Sequence, residues 1–337
     1  MILIISESQD RSTIQVVKWL IYYNKKFIIL NELNRISKTT ITISNTGNVS
    51  VLINLEHDNA SFLLSDIKSV WYRRGDIIFK QSLPNPKFKM DVELDIVLKN
   101  YIHNENKTVR DYIIDYLDKN CFNLSSIKTV TQNKLIQLET AAKHKLKIPQ
   151  TLISSDNEEI ISELNKGKRL ITKPIGESFF YYSQKENIKI QGYTKLLTKK
   201  TVKENKTNMF TLAQTAIDKL YELRVFYFFG KTYSIAIYSQ ENSKTKIDQK
   251  DYDYVNPVYC QPYTIPKIIE NKLGKLMNDL NLDNGSIDMI RNKEGEYIFL
   301  EVNPVGQFEN VSTIGNYNLE GLIAKKLIRD EQRKNNT

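Results

Sequence analysis

The chain has 337 residues, a formal net charge of +9, 41% hydrophobic residues, two cysteines and three histidines. This length and apolar content fit two or three globular domains. Cys121, Cys260, His57, His103 and His144 have no spacing suited to a zinc site or a disulfide framework. No apolar run approaches a membrane span, and the start Met1-Ile2-Leu3-Ile4-Ile5-Ser6-Glu7 lacks the basic residues of a signal peptide, so a cytoplasmic protein is expected. The basic charge suits a phosphate-bearing or acidic partner by steering. The densest stretch, 185–206, sets seven Lys against Glu186 and Glu204 with few aromatics to stack bases. It reads as a solvated surface, so neither nucleic acid nor membrane is expected as a partner.

In chain order, Met1 to Ser6 forms a short apolar strand. A helix capped by Asp10 or Ser12 follows, with Ile14, Val17, Leu20 and Ile21 as its stripe, and Phe27 to Leu30 begins a second strand. This β-α-β start implies a parallel sheet covered by helices. Its first turn has no glycine, so it carries no dinucleotide fingerprint. Residues 41–55 alternate as a hairpin around Thr46-Gly47-Asn48. Ser69 to Gly75 is a strand ending in Arg73 and Arg74, placed either for an anion or for surface pairing with Asp66 or Asp76. After Pro84 and Pro86, the spacing from Phe88 to Lys119 predicts two helices split near Asn104 to Lys107. The first domain is expected to end near Ser125 or Ser126.

Beyond that point, Thr131 or Asn133 caps a helix with Leu135, Leu138, Ala142 and Leu146 as its stripe. Lys134 sits in its first turn, against the helix dipole, where an anionic ligand or plain exposure accounts for it. Arg169 to Pro174 is a strand bringing Lys173 to the loop Ile175-Gly176-Glu177-Ser178, whose amides could meet a phosphate. Thr211 to Ile217 is another strand. Glu222 to Phe229 follows and pairs with Thr232 to Ser239, starting an antiparallel sheet. Glu222 and Arg224 share one strand face, suited to a sugar hydroxyl and a phosphate, or to a cross-strand ion pair.

The strands Ser286 to Arg291 and Tyr297 to Leu300, joined by Asn292-Lys293-Glu294-Gly295, form a hairpin continued by Glu301-Val302-Asn303-Pro304-Val305. Glu301 and Asn303 point to one face. With Asn292 opposite Tyr297, Asp288 falls opposite Glu301, and the two carboxylates repel each other unless a cation intervenes. Hard carboxylate and amide oxygens suit magnesium. A solvated polar hairpin, or a register slipped by one residue, is the alternative.

The order of these features resembles the ATP-grasp ligase fold, over residues 126–330 by motif. Val70-Trp71-Tyr72-Arg73-Arg74 and Phe299-Leu300-Glu301-Val302-Asn303-Pro304-Val305-Gly306-Gln307-Phe308 resemble the graspetide synthetases, the microviridin-type peptide-modifying ligases. Asn316-Tyr317-Asn318-Leu319-Glu320 with Ile323-Ala324 is similar to their grasp-with-spasm branch. The resemblance implies a mixed α/β (α+β) chain with an N-terminal pre-ATP-grasp domain at 1–125. Central and C-terminal ATP-grasp subdomains would follow at 126–205 and 206–330, the latter with a peptide-binding insertion at 238–270, and then a polar tail at 331–337.

ATP and Mg2+ are the implied cofactors. Lys134 and Lys173 would contact the α- and β-phosphates, Gln214, Thr215, Ala216 and Ile217 would hold adenine, and Glu222 would bind ribose. Arg224 would meet the transferred phosphate, with Arg224 and Lys173 as the catalytic pair, and Asp288, Glu301 and Asn303 would hold two magnesium ions that bridge the phosphates. The implied substrate is a ribosomal precursor peptide with a leader and an acidic core, whose Asp or Glu side chains become ester- or amide-linked to Ser, Thr or Lys. Its leader would meet Asp248 and Lys250, although family members commonly carry an arginine where Lys250 stands. A homodimer stays open. The competing readings are a carboxylate-amine ligase acting on a free amino acid or a protein C-terminal glutamate, and a nucleic-acid-binding protein with a relict ATP site.

Overall fold

A computed structural model of the chain describes residues 1–57, 60–80, 92–130, 133–176, 180–183, 185–192, 194–204, 209–240 and 258–333. It divides into two compact units, Met1–Thr131 with Asn318–Thr337, and Gln132–Tyr317.

In the first unit, β1 (Ile2–Ile5) is buried along its whole length, as befits an inner parallel strand covered on both faces. Asp10 caps α1 (Arg11–Tyr22), its carboxylate accepting from the Thr13 N–H at 2.7 Å. The buried face of α1 is Ser12, Thr13, Val16 and Leu20, whereas Ile14 and Ile21 are exposed. This corrects the expected stripe. The polar first turn faces inward because the Thr13 hydroxyl bonds that of buried Ser6 at 2.7 Å.

The chain continues through β2 (Phe27–Leu30), the hairpin β3 (Ile36–Ile43) and β4 (Val49–Leu55), β5 (Ser61–Leu63) and β6 (Ser69–Tyr72). Strands β2 and β6 flank β1 in parallel, while β3, β4 and β5 make a separate antiparallel sheet. One uninterrupted helix, α2 (Val92–Asn120), replaces the expected pair. The polar stretch read as a break stays helical: the Thr108 hydroxyl bonds the Asn104 carbonyl at 2.9 Å, and Lys107 pairs with Asp111 one turn on. β7 (Phe122–Leu124) completes the sheet order β2-β1-β6-β7, and α3 (Ile127–Val130) follows.

The second unit opens with α4 (Lys134–Lys143), capped by Asn133. It buries Gln137, Leu138 and Ala141, with Leu146 just beyond, while Leu135 and Ala142 point outward, against expectation. Next come β8 (Thr151–Ser154), α5 (Asn157–Asn165), β9 (Leu170–Thr172), β10 (Phe180–Ser183), β11 (Ile188–Gln191), β12 (Lys195–Leu196), α6 (Lys199–Glu204) and β13 (Thr211–Thr215). One sheet of this unit has the order β12-β9-β13-β8.

The larger sheet is antiparallel, in the order β16-β15-β14-β17-β18. It uses β14 (Lys219–Phe228), β15 (Lys231–Tyr238), β16 (Tyr259–Tyr263), β17 (Asn284–Asn292) and β18 (Tyr297–Asn303), with α7 (Lys267–Asp279) between β16 and β17. Leu223, Val225, Ile287, Met289, Phe299 and Val302 from one face of this sheet pack with Leu273, Leu276 and Met277 of α7. Each such side chain contributes roughly 1.5–3 kcal/mol on burial. α8 (Glu309–Gly315) follows, and α9 (Leu319–Arg333) belongs to the first unit, where it packs on α1. Among the described residues no helix is long and apolar enough to cross a membrane.

The paired arginines after β6 take a partner other than those expected. Arg73 is 2% exposed and sits 3.4 Å from Asp10, with Arg74 at 3.8 Å from the same oxygen, while Asp76 pairs instead with Arg110. Burial pulls Arg73 down to about 10, still far above neutral, so the guanidinium keeps its charge. Removing Arg73 leaves the buried Asp10 carboxylate with only the more distant and more exposed Arg74. Arg73→Met is expected to cost roughly 3–5 kcal/mol in chemical denaturation. A loss below about 1 kcal/mol would be the value of an exposed pair and would contradict this account.

Candidate active site

A cavity of about 490 Å³ opens within the second unit. One wall comes from β9, β12 and β13 through Ile171, Leu196, Gln214 and Thr215, joined by Lys173, Ala216 and Ile217. The other comes from β14, β17 and β18 through Lys219, Glu222, Asp288, Ile290, Leu300 and Glu301.

The acidic wall owes its form to a β-bulge. The hairpin turn, with Gly295 at φ +78°, sets Arg291 opposite Tyr297, one residue away from the expected pairing of Asn292 with Tyr297. Continued regularly, that register would face Asp288 with Leu300. A shift between Asp288 and Met289 instead brings Asp288 opposite Glu301 and Ser286 opposite Asn303. Leu300 is the extra residue, and a bulge of this kind re-aims side chains. Phe299 and Val302, three apart, can therefore both enter the core, while Leu300 and Glu301 both line the cavity.

Asp288 and Glu301 are 7% and 6% exposed. Two carboxylates so placed need cations, and each has one: Arg224, directly across the ladder, pairs with Asp288, and Lys134 reaches Glu301 Oε2 at 3.1 Å. Asn303 Nδ2 lies 3.5 Å from Glu301 Oε1. Among the described residues no group of three or more His, Cys, Asp and Glu is arranged for a metal. The candidate set is two carboxylates and one amide oxygen. As hard donors they fit magnesium, which takes its remaining positions from water and phosphate.

Glu222 accepts hydrogen bonds from Lys219 and, at 2.8 Å, from the Ser239 hydroxyl. Burial pushes its carboxyl above the usual range, and Lys219 opposes that shift. Gln214 donates from Nε2 to Thr151 Oγ1 at 2.9 Å, across the β8–β13 ladder. The structure thus gathers Lys173, Gln214, Thr215, Ala216, Ile217, Glu222, Asp288 and Glu301 around one cavity, with Lys134, Arg224 and Asn303 touching its carboxylates. Asp248 and Lys250 lie outside the described residues.

Residues 1–131 match the MvdD pre-ATP grasp domain family. Macrocyclase MdnC from Microcystis aeruginosa MRC, solved bound with precursor peptide MdnA, is 26% identical to the chain. The match covers 97% of this chain and 99% of MdnC, with a TM-score of 0.73. The chain is an ATP-grasp ligase. The fold of this ligase is also similar to that of a RiPP-associated ATP-grasp ligase from Chryseobacterium gregarium, solved with ADP and a leader and core peptide. That likeness has 24% identity, covers 97% of this chain and 96% of the other, and has a TM-score of 0.79. Among curated proteins, alpha-aminoadipate–LysW ligase LysX of Sulfurisphaera tokodaii is 21% identical over 245 residues, 70% of this chain and 81% of LysX.

Sequence reasoning missed several residues of the ligase's cavity neighbourhood. Lys219 and Ser239 carried no motif, and their role rests on contacts with Glu222 that only folding creates. Gln137, on α4, meets Val302 across 165 residues of sequence. Gly306 stands in the sequence only as one residue of the run Phe299 to Phe308. A Cβ there would lie 2.5 Å from Ser286 Cβ and 2.9 Å from the Asn303 carbonyl oxygen. Gly306→Ala must therefore displace the turn that follows Asn303. The expected result is a loss of about 1–3 kcal/mol in stability, together with weaker Mg2+-dependent ADP binding by calorimetry. Parental binding in a folded Gly306→Ala protein would show that the turn does not govern the site.

Proposed function

We propose that this ligase is an ATP-dependent peptide macrocyclase. The observation that carries the reading is the pair of buried carboxylates, Asp288 and Glu301, each held by a cation on the wall of a cavity large enough for a nucleotide. The likeness to MdnC and to the Chryseobacterium gregarium ligase, both solved with peptides, supports a peptide as substrate.

In this reading adenine lies against Gln214, Thr215, Ala216 and Ile217, and Glu222 accepts from the ribose hydroxyls. Lys134 and Lys173 contact the α- and β-phosphates. Asp288, Glu301 and Asn303 hold magnesium, which when bound neutralises phosphate charge. Lys134 and Arg224, which pair with Glu301 and Asp288 here, would then be free to turn toward the phosphates, since the two carboxylates would no longer need them as counter-charges.

A carboxylate oxygen of a precursor Asp or Glu then forms a bond to the γ-phosphorus as the bond to the ADP oxygen breaks, giving an acyl phosphate. Arg224 steadies the negative charge of the moving phosphoryl group. A Ser or Thr hydroxyl, or a Lys amine, of the same peptide attacks the acyl carbon, loses its proton and displaces phosphate. The product is an ω-ester or ω-amide ring, with ADP and phosphate released. No side chain has to act as a nucleophile, because positioning and charge neutralisation carry phosphoryl transfer. The leader docks on the insertion at 238–270, where Asp248 and Lys250 are its contacts.

The LysX match keeps a carboxylate-amine ligase for a free amino acid or a protein C-terminal glutamate as the second reading. Mass spectrometry of a precursor peptide incubated with ATP, Mg2+ and the enzyme separates the two. The macrocyclase removes one water from the peptide per ring. Unchanged peptide mass with ADP release driven by a free amino acid would decide for the second reading. Glu301→Gln and Asn303→Ala should each abolish ring formation in a folded protein, and turnover preserved in either would refute the metal assignment.

A further inference from the structure

Among the described residues the outer edge of β18 meets no strand, only an isolated bridge from Lys147 to Ile298, yet the backbone of Val302 beside the acidic wall is satisfied. Gln137 does this at Val302: its Nε2 donates to the Val302 carbonyl at 2.9 Å, and its Oε1 accepts from the Val302 N–H at 2.8 Å. One side-chain amide thereby makes both bonds that a paired strand would make at that residue. Gln137 is 1% exposed, so no water competes for either bond. The backbone N–H of Phe299, farther along the same strand, is taken by the Lys147 carbonyl at 2.8 Å.

Val302 is the residue between Glu301 and Asn303. Lys134 stands three residues before Gln137 on α4, hence on the same helical face, and reaches Glu301. The helix therefore meets the acidic strand at two adjacent points, through a neutral two-bond clamp and through an ammonium group. A lysine on a long flexible stem cannot by itself fix where a strand lies. An amide bonded twice to one backbone unit can.

We propose that Gln137 is a positioning residue for the metal site: its amide sets β18 against α4, so that Glu301 and Asn303 stand at a fixed offset from Lys134. This rests on the reading of Asp288, Glu301 and Asn303 as a magnesium site. The chemistry demands glutamine. Glutamate lacks the donor for the Val302 carbonyl, asparagine is one methylene too short to make both bonds, and methionine fills the space but makes neither. If Gln137 only closed a strand edge, its loss would lower stability and leave the metal affinity of the folded protein unchanged.

The test is a Mn2+ titration of the full-length protein followed by electron paramagnetic resonance, with ADP present, for the parent and for Gln137→Met. ADP affinity in chelator and thermal melting are measured alongside. The expected result is Mn2+ affinity weakened by roughly 10- to 100-fold, the range for residues that orient metal ligands from behind, with metal-free ADP affinity unchanged. Parental Mn2+ affinity with a lowered melting temperature would overturn the proposal. Should Gln137→Met not fold, Gln137→Asn is measured in the same way; a smaller loss of Mn2+ affinity supports the proposal, and parental affinity overturns it. A parent protein that binds ADP but no Mn2+ removes the magnesium reading itself, and this inference with it.

Discussion

Two buried carboxylates facing each other across a β-ladder set the terms for the second unit. Two carboxylates buried side by side repel each other and are costly to desolvate without cations close by, and the chain supplies one from each side. Arg224 comes from the neighbouring strand at the position directly opposite Asp288, and Lys134 comes from the first turn of α4. Neither is where local stability would put it. A lysine at a helix N-terminus opposes the dipole, and an arginine on an inner strand has to be desolvated. Such departures from local preference gather at functional sites.

The bulge at Leu300 is what makes this arrangement compatible with a packed core. A regular ladder from the observed turn would have set Leu300 against Asp288. With one extra residue, Phe299 and Val302 both keep their places among the core side chains while Glu301 faces Asp288. The turn after Asn303 is then held close to β17: Gly306 fits beside Ser286, whose hydroxyl bonds the Gln307 carbonyl at 2.9 Å. The acidic wall is thus fixed by its bulge, by its following turn and by its outer edge.

Much of this was legible in the sequence because strand alternation has a short period. Glu301 and Asn303 at i and i+2, and Glu222 and Arg224 likewise, declare a shared face without reference to distant residues. The pairing of Asp288 with Glu301 was legible, but the hairpin register at the turn was not. The expected pairing at the turn was off by one, and the bulge, which brings Glu301 back opposite Asp288, leaves no mark because Leu300 is as acceptable to a cavity wall as to a core. The same limit explains the long helix α2, where a polar stretch signals solvent as readily as a break, and Arg73, whose partner Asp10 lies at the start of the opposite element. Contacts such as Gln137 with Val302 depend on tertiary structure alone.

In the proposed function Lys134 and Arg224 hold the carboxylates until a metal and a nucleotide arrive. A crystal structure of the protein with ADP and Mg2+ tests it most directly. The expected result is Mg2+ bonded to oxygens of Asp288, Glu301 and Asn303, with Lys134 turned from Glu301, and Arg224 from Asp288, toward the phosphates. ADP bound in the cavity with the Lys134–Glu301 and Arg224–Asp288 pairs intact and Mg2+ held elsewhere would contradict it.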